Sequence, residues 1–185
     1  MLKTNIAPFP DLFTERLLLR KIIDSDAPRI LYLRSHDLVM KYLARNPLSN
    51  LEEALKWIKI IHEAQDTDNG ITWAICLMEE PEMLIGNIGY WRLSHENFRA
   101  EIGYMLDPEF WRKGIMKEAI AKVISFGFEQ LGLHSIEADI DPENLASELT
   151  LVSSGFINEA YFKENLFFNG EFKDSKIFSL LNPVH

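Results

Sequence analysis

The sequence predicts a mixed α/β domain, of the α+β type, in which helices flank a mainly antiparallel central sheet. Three observations predict it. Strand-like runs follow one another at residues 71–78, 84–93 and 100–106, separated only by EEPE and SHENF, which gives an antiparallel meander. The period then becomes helical over residues 113–130. There Ile120, Val123, Ile124, Gly127, Phe128 and Leu131 form an apolar stripe, with Lys122, Ser125 and Glu129 outside it. An alternating run, HSIEADI, follows, and strand–helix–strand within a mostly antiparallel set is a mixed pattern.

The elements can be justified in order. TERLLLRKI, residues 14–22, reads as the first strand. DSDAPRILYLRSH reads as a helix, with Asp24 or Asp26 as its cap and Pro28 in its first turn. A short helix is expected over residues 37–42. In PLSNLEEALKWIKIIHEAQ, Ser49 and Glu52 have capping-box spacing, and Leu51, Leu55, Ile58 and Ile61 recur on one face. Gly132 suits the stop of the helix over residues 113–130. DPENLASELTLVSSG predicts one more helix, and FINEAYF with EFKDSKIFSLL a closing pair of strands. The expected order is β-α-α-α-β-β-β-α-β-α-β-β, as one domain over residues 1–185.

The chain has 185 residues, 47% hydrophobic and 25% charged, with no repeat or low-complexity block. A formal net charge of −9 argues against a nucleic-acid partner, which calls for a basic surface. It is compatible with a cationic amine as partner and equally with plain solubility. The single cysteine, Cys76, lies in the apolar run ITWAICLM and reads as a core residue. No apolar run is long enough to span a membrane, and MLKTNIAPFPD has no leader-like segment, so a cytoplasmic setting is expected. His36, His62, His95 and His185 show no metal-ligand spacing with carboxylates.

The stretch DPEFWRKGIMKEA, residues 107–119, carries the chemistry. Two cations, Arg112 and Lys113, stand at a helix start, where a cation is disfavoured by the dipole unless an anion binds there. Unpaired N–H groups at a helix N-terminus form an anion site, and Gly114 opens the backbone to a ligand. From the residues alone, a pyrophosphate loop and a basic loop in solvent both stay open. Neither G-x-x-x-x-G-K-[ST] nor G-x-G-x-x-G occurs, which disfavours other phosphate loops. Of the four tryptophans, Trp91 is the best placed to line a binding groove.

These residues, together with TERLLLR, EIGYMLDPEFWRKGIMKEA and DPENLASELTLVSSGFINEA in that order, resemble the GNAT superfamily of N-acetyltransferases, in its RimJ/RimL-like branch. The resemblance implies acetyl-CoA as co-substrate and a primary amine as acceptor; no metal is expected, and monomer and homodimer both stay open. It implies that Arg112, Lys113, Gly114, Ile115, Met116 and Lys117 wrap the CoA pyrophosphate. Against the superfamily pattern Q/R-x-x-G-x-G/A, Trp111 and Met116 replace the polar first and small last residues. Met105 and Leu106 would pair through their backbone with the pantetheine arm. Asn144 and Ser147 match an N-x-x-S motif beside the thioester, although Asn144 also reads as a helix cap.

The expected reaction is direct attack of a neutral amine on the thioester. Glu101 is the first choice of base and Glu164 the second, each with substrate orientation as its other reading. A backbone N–H near Leu106 would serve the oxyanion, and Ser147 the leaving thiolate. A protein N-terminal α-amine, of the ribosomal-protein type, is the expected acceptor. A small amine, amino acid or antibiotic is the rival, and a CoA-binding module without turnover is the rival from another class.

Overall fold

The computed structural model describes residues 2 and 8–184. The expectation of no leader also concerns residues 1 and 3–7, and the reading of His185 concerns residue 185; these lie outside the described residues. One eight-stranded sheet has the order β1-β2-β3-β4-β5-β6-β8-β7, with β1 at Leu12–Phe13, β2 at Leu17–Lys21, β3 at Ile71–Leu77 and β4 at Gly86–Ser94. β5 is Arg99–Leu106, β6 Ser135–Ile140, β7 Ile157–Phe168 and β8 Glu171–Leu181. Every neighbouring pair is antiparallel except β5 and β6. The meander is as expected, and the closing hairpin runs longer than its sequence suggested.

Helices cover both faces. On one face lie α1 (Ala27–Ser35), the short α2 (Asp37–Met40) and α3 (Leu51–Asp66), packed through Ile30, Leu33, Ala54, Ile58 and Ile61 onto Ala74 and Cys76 of β3. On the other lie α4 (Ile115–Phe126) and α5 (Leu145–Ser153). Ile120 and Val123 of α4 and Leu151 of α5 join Trp73, Ile88, Tyr90, Ile102 and Leu106 in the larger core cluster. Cys76 is buried, and burial pushes its thiol up to about 11, consistent with an inert core residue.

Several local expectations are corrected. The first strand is split: Thr14 turns the chain, its N–H donating to the Leu17 carbonyl at 3.0 Å, and Leu12 pairs back on Leu19. Neither Asp24 nor Asp26 caps α1 through its side chain. Asp26 is instead buried, accepting from both Arg20 Nη atoms at 2.8 Å and from the Ile23 N–H at 2.9 Å, which ties the helix start to β2. The capping box of α3 lies one residue further on. Asn50 accepts from the Glu53 N–H at 3.0 Å, and Glu53 reaches back to the Ser49 N–H at 2.7 Å. The face it turns to the core also differs from the expected one: Ala54, Ile58 and Ile61 are buried, and Leu51 and Leu55 are exposed.

Candidate active site

The site is built around the end of β5. β5 and β6 pair only at Arg99, Ala100 and Glu101, opposite Ser135, Ile136 and Glu137. β6 goes on to pair with β8 as far as Ile140, so the two parallel strands part beyond Glu101. The Asp107 N–H donates toward β4, to the Ile85 carbonyl at 2.8 Å. Since backbone groups alternate in direction along a strand, the N–H groups of Leu106 and Tyr104 face the parted side. The Leu106 carbonyl on that side accepts from Trp111 Nε1 at 2.8 Å, which folds the indole back over the strand end.

The turn leaving β5 is held from below. Asp107 is buried, accepts from the Glu109 N–H at 3.0 Å, and pairs with Arg29 Nη2 at 2.5 Å. A short 3₁₀ turn, Pro108–Phe110, then leads into the loop. Arg112 and Gly114 are both left-handed, with φ of 60° and 76°. The helix starts at Ile115, not at Lys113, because Gly114 is its N-cap and carries no side chain to cap it. The first intrahelical bond is from the Glu118 N–H to the Gly114 carbonyl at 3.1 Å, so the amides of Ile115, Met116 and Lys117 have no helical partner. In α3 and α5, in contrast, Asn50 and Asn144 each cap one first-turn amide, that of Glu53 and that of Ser147. A Cβ at Gly114 would meet nothing closer than Arg16 Nη2 at 3.5 Å, so the glycine answers to backbone conformation and not to crowding.

Arg16 and Glu118 clamp this loop. Arg16 Nη1 donates to the Lys113 carbonyl at 3.0 Å, and its Nε to Glu118 Oε2 at 2.7 Å. Glu118 Oε1 accepts from Thr14 Oγ1 at 2.6 Å and the Arg16 N–H at 3.0 Å. Burial alone would raise the Glu118 carboxyl, but these bonds outweigh it and hold it below its ordinary value. Glu118 thus serves the loop through Arg16, a role its position in the sequence did not disclose. The Arg112 and Lys113 side chains are exposed, with Lys113 Nζ lying 5.2 Å from the Phe110 ring centre.

Two chemical groups flank the parted strands, one on each face of β5. Toward α5, the Tyr104 hydroxyl and Ser147 Oγ lie 2.8 Å apart. Ser147 is buried, and its N–H donates to Asn144 Oδ1 at 3.1 Å, so Asn144 acts as helix cap and fixes Ser147 in the same bond. Burial pushes the Tyr104 hydroxyl up to about 12, against the Ser147 bond, so the pair keeps its protons at neutral pH. Tyr104 was missed in the sequence; its alternation with Ile102 and Leu106 is the signal that puts it on the α4/α5 face.

Toward α1 and α3 lie Glu101, Met105 and Trp91. Trp91 stands directly opposite Glu101 across β4 and β5. Its indole lies over Gly103, where an added Cβ would stand 3.0 Å from Nε1 and push the ring back by a few tenths of an ångström. A bulge between Trp91 and Ser94, with Arg92 at φ 50°, turns Arg92 toward Glu101, and their contact is 3.0 Å. Burial raises the Glu101 carboxyl above its ordinary value. Arg92 and Arg45 oppose that rise, and Asp139 and Glu137 add to it.

Glu164 is not brought to this place. It sits exposed on β7 at φ 53°, its N–H donating to Asp174 Oδ1 at 2.7 Å, with β6 and β8 between β7 and β5. The register runs Glu101, Glu137, Ser179, Ile157, so Glu164 is displaced both across three strand spacings, roughly 14 Å, and further along β7. Among the described residues no group of three or more His, Cys, Asp or Glu could hold a metal ion, and no helix is long and apolar enough to cross a membrane.

A profile of the acetyltransferase (GNAT) domain matches residues 16–157. The chain is 38% identical over 175 residues to the uncharacterized N-acetyltransferase YoaA of Bacillus subtilis (strain 168), covering 95% of this chain and 98% of that one. It is 25% identical over 187 residues to the [ribosomal protein uS5]-alanine N-acetyltransferase of Escherichia coli (strain K12), covering 98% and 95%. Its fold matches that of RimL, a ribosomal L7/L12 alpha-N-protein acetyltransferase solved in complex with coenzyme A. The TM-score is 0.86, with 19% identity and coverage of 95% of this chain and 100% of that one. With its open strand pair, uncapped α4 and matching domain profile, the chain belongs to the GNAT family of acetyl-CoA-dependent N-acetyltransferases.

Proposed function

We propose that the chain acetylates the α-amino group at the N-terminus of a protein. The observation that carries this reading is Glu101, a half-buried carboxylate on the strand beside the parted edge, whose affinity for a proton is raised by burial and moderated by Arg92. Such a group is a modest base. An α-amine titrates near pH 7.7–8.0, so an appreciable fraction is neutral and a modest base is enough, whereas a lysine amine near 10.4 demands more. The relative that acts on ribosomal protein uS5 supports the same choice.

The residues divide the work between the faces of β5. The amides of Ile115, Met116 and Lys117, with Arg112, Lys113 and Gly114, would hold the diphosphate of acetyl-CoA, and the backbone of Tyr104 and Leu106 would guide its pantetheine arm. The backbone of Met105, expected to share that role, faces β4 instead, because alternate residues of the strand point to opposite sides. Bound there, acetyl-CoA supplies an activated acyl group. The Leu106 N–H, facing the parted side, would donate to the acyl oxygen as charge grows on it. Glu101 takes the amine proton, directly or through water, while Trp91 forms a wall of the acceptor groove. Ser147 Oγ–H, backed by the Tyr104 hydroxyl, gives a proton to the leaving sulfur.

Thiol release across an acceptor panel tests the reading. Peptides with a free small N-terminal residue should exceed N-blocked lysine peptides and spermidine by about tenfold or more in kcat/KM. Turnover confined to spermidine or to blocked lysine peptides would overturn it. Arg92→Ala gives a second check. Arg92 favours the charged form of Glu101, so its loss lets burial and the neighbouring acids raise that carboxyl further. The acidic limb of the pH–kcat/KM profile should then move to higher pH, and an unmoved limb would detach Glu101 from proton transfer.

A further inference from the structure

We propose that Arg34 binds a carboxylate of the acceptor, so that the preferred substrate is an amine carrying an acidic group close by. This rests on the acetyl-transfer reading and specifies its substrate. Arg34 lies in α1 and is only 7% exposed. Its Nε has no hydrogen-bond partner, and no ion pair among the described residues includes it. Its guanidinium carbon lies over the ring of Trp57 of α3, 4.9 Å from the ring centre. Two other arginines of this face are matched: Arg20 holds Asp26 and Arg29 holds Asp107. A buried, unmatched guanidinium is costly, and its fork of donors fits a carboxylate in two-point contact.

The surroundings make the absence of a counter-charge more pointed. Arg45, in the α2–α3 connection, adds a second cation; burial first, and then Arg45, bring the Arg34 guanidinium down to about 10. The field of Arg45 also reaches Glu101, which ties the cationic pair to the site. Trp57, Trp91 and Met105 pack on one core cluster, so Arg34 and its tryptophan share the face of the sheet that carries the acceptor groove. Asn87 stands opposite Met105 on that face, buried, with its Nδ2 also unpartnered. The groove is therefore polarised. Glu101, with Glu137 and Asp139 acting on it, attracts the ammonium end, and Arg34 and Arg45 attract an anionic end. A polycation such as spermidine meets two unscreened arginines there. The carboxylate can come from an acidic side chain near a peptide N-terminus or from the α-carboxylate of a free amino acid.

Matched acceptors separate these sources. In peptides that begin Ser-Asp or Ser-Asn, and in a free amino acid and its amide, the acid should exceed the amide by about tenfold in kcat/KM in at least one series. The peptide series winning assigns the side chain, and the amino-acid series the α-carboxylate. Arg34→Gln should bring the acid-to-amide ratio to about one, with the loss in KM, and Arg34→Lys should restore part of it. A wild-type ratio near one in both series, or a ratio that Arg34→Gln leaves intact, overturns the proposal, and the wild-type comparison decides even if the variants do not fold. Thiol release with no acceptor of any kind would instead overturn the underlying acetyl-transfer reading.

Discussion

Glu101→Gln lowers kcat by about 10²–10⁴-fold, the usual contribution of a positioned proton acceptor. The amide has the size and shape of the acid, and its oxygen can still accept from Arg92 Nη1, now 3.0 Å from the carboxylate, so the strand pair and its bulge stay in place. What it loses is the capacity to take a proton from the attacking amine. The KM for acetyl-CoA should stay within about twofold, because Glu101 faces α1 and α3 while the loop at Gly114 lies beyond the far end of β5. Steady-state kinetics at saturating donor checks this. Unchanged kcat would leave Glu101 a role in orientation only.

Gly114→Asp raises the Kd for acetyl-CoA by about 100-fold or more without unfolding the protein. Asp is among the few residues that accept a left-handed conformation, here φ 76°, and it is a good helix N-cap. The space is open as well, since the nearest atom to an added Cβ is Arg16 Nη2 at 3.5 Å. Its carboxylate would occupy the amides of the first turn of α4 and repel a diphosphate. Gly114→Asn, which caps without charge, should cost less affinity, and both variants should melt at or above the wild-type temperature. Calorimetric titration with acetyl-CoA reads the difference, and normal binding by the Asp variant would place the diphosphate elsewhere.

Much of the fold was legible because its signals are local. The meander of β3, β4 and β5 follows from three apolar runs separated by short polar turns, and α4 from a long helical stripe. Errors arose where two adjacent readings are equally good locally. Ser49/Glu52 and Asn50/Glu53 both have capping spacing, and the folded chain uses the second, with Asn50 accepting from the Glu53 N–H. Arg112 and Lys113 looked like the start of α4, but a left-handed pair at Arg112 and Gly114 holds them outside it.

The candidate site was legible in proportion to its dependence on consecutive residues. The loop over residues 112–117 and the Asn144–Ser147 pair are contiguous or one turn apart, and both lie beside β5. Arg34, Asn87, Tyr104 and the Arg16–Glu118 clamp were not legible, because each depends on a partner brought from another element. Arg34 in particular reads as the ordinary polar face of a helix until the fold buries it against Trp57. Glu164 was named from its late position, yet the sheet order keeps it away from Glu101.

A crystal structure with acetyl-CoA tests the central claim most directly. The account predicts diphosphate oxygens about 2.7–3.2 Å from backbone nitrogens between Arg112 and Lys117, and pantetheine bonded to the outward backbone of β5 where it parts from β6. A diphosphate bound away from the α4 N-terminus, or a pantetheine arm that leaves β5 untouched, would contradict it.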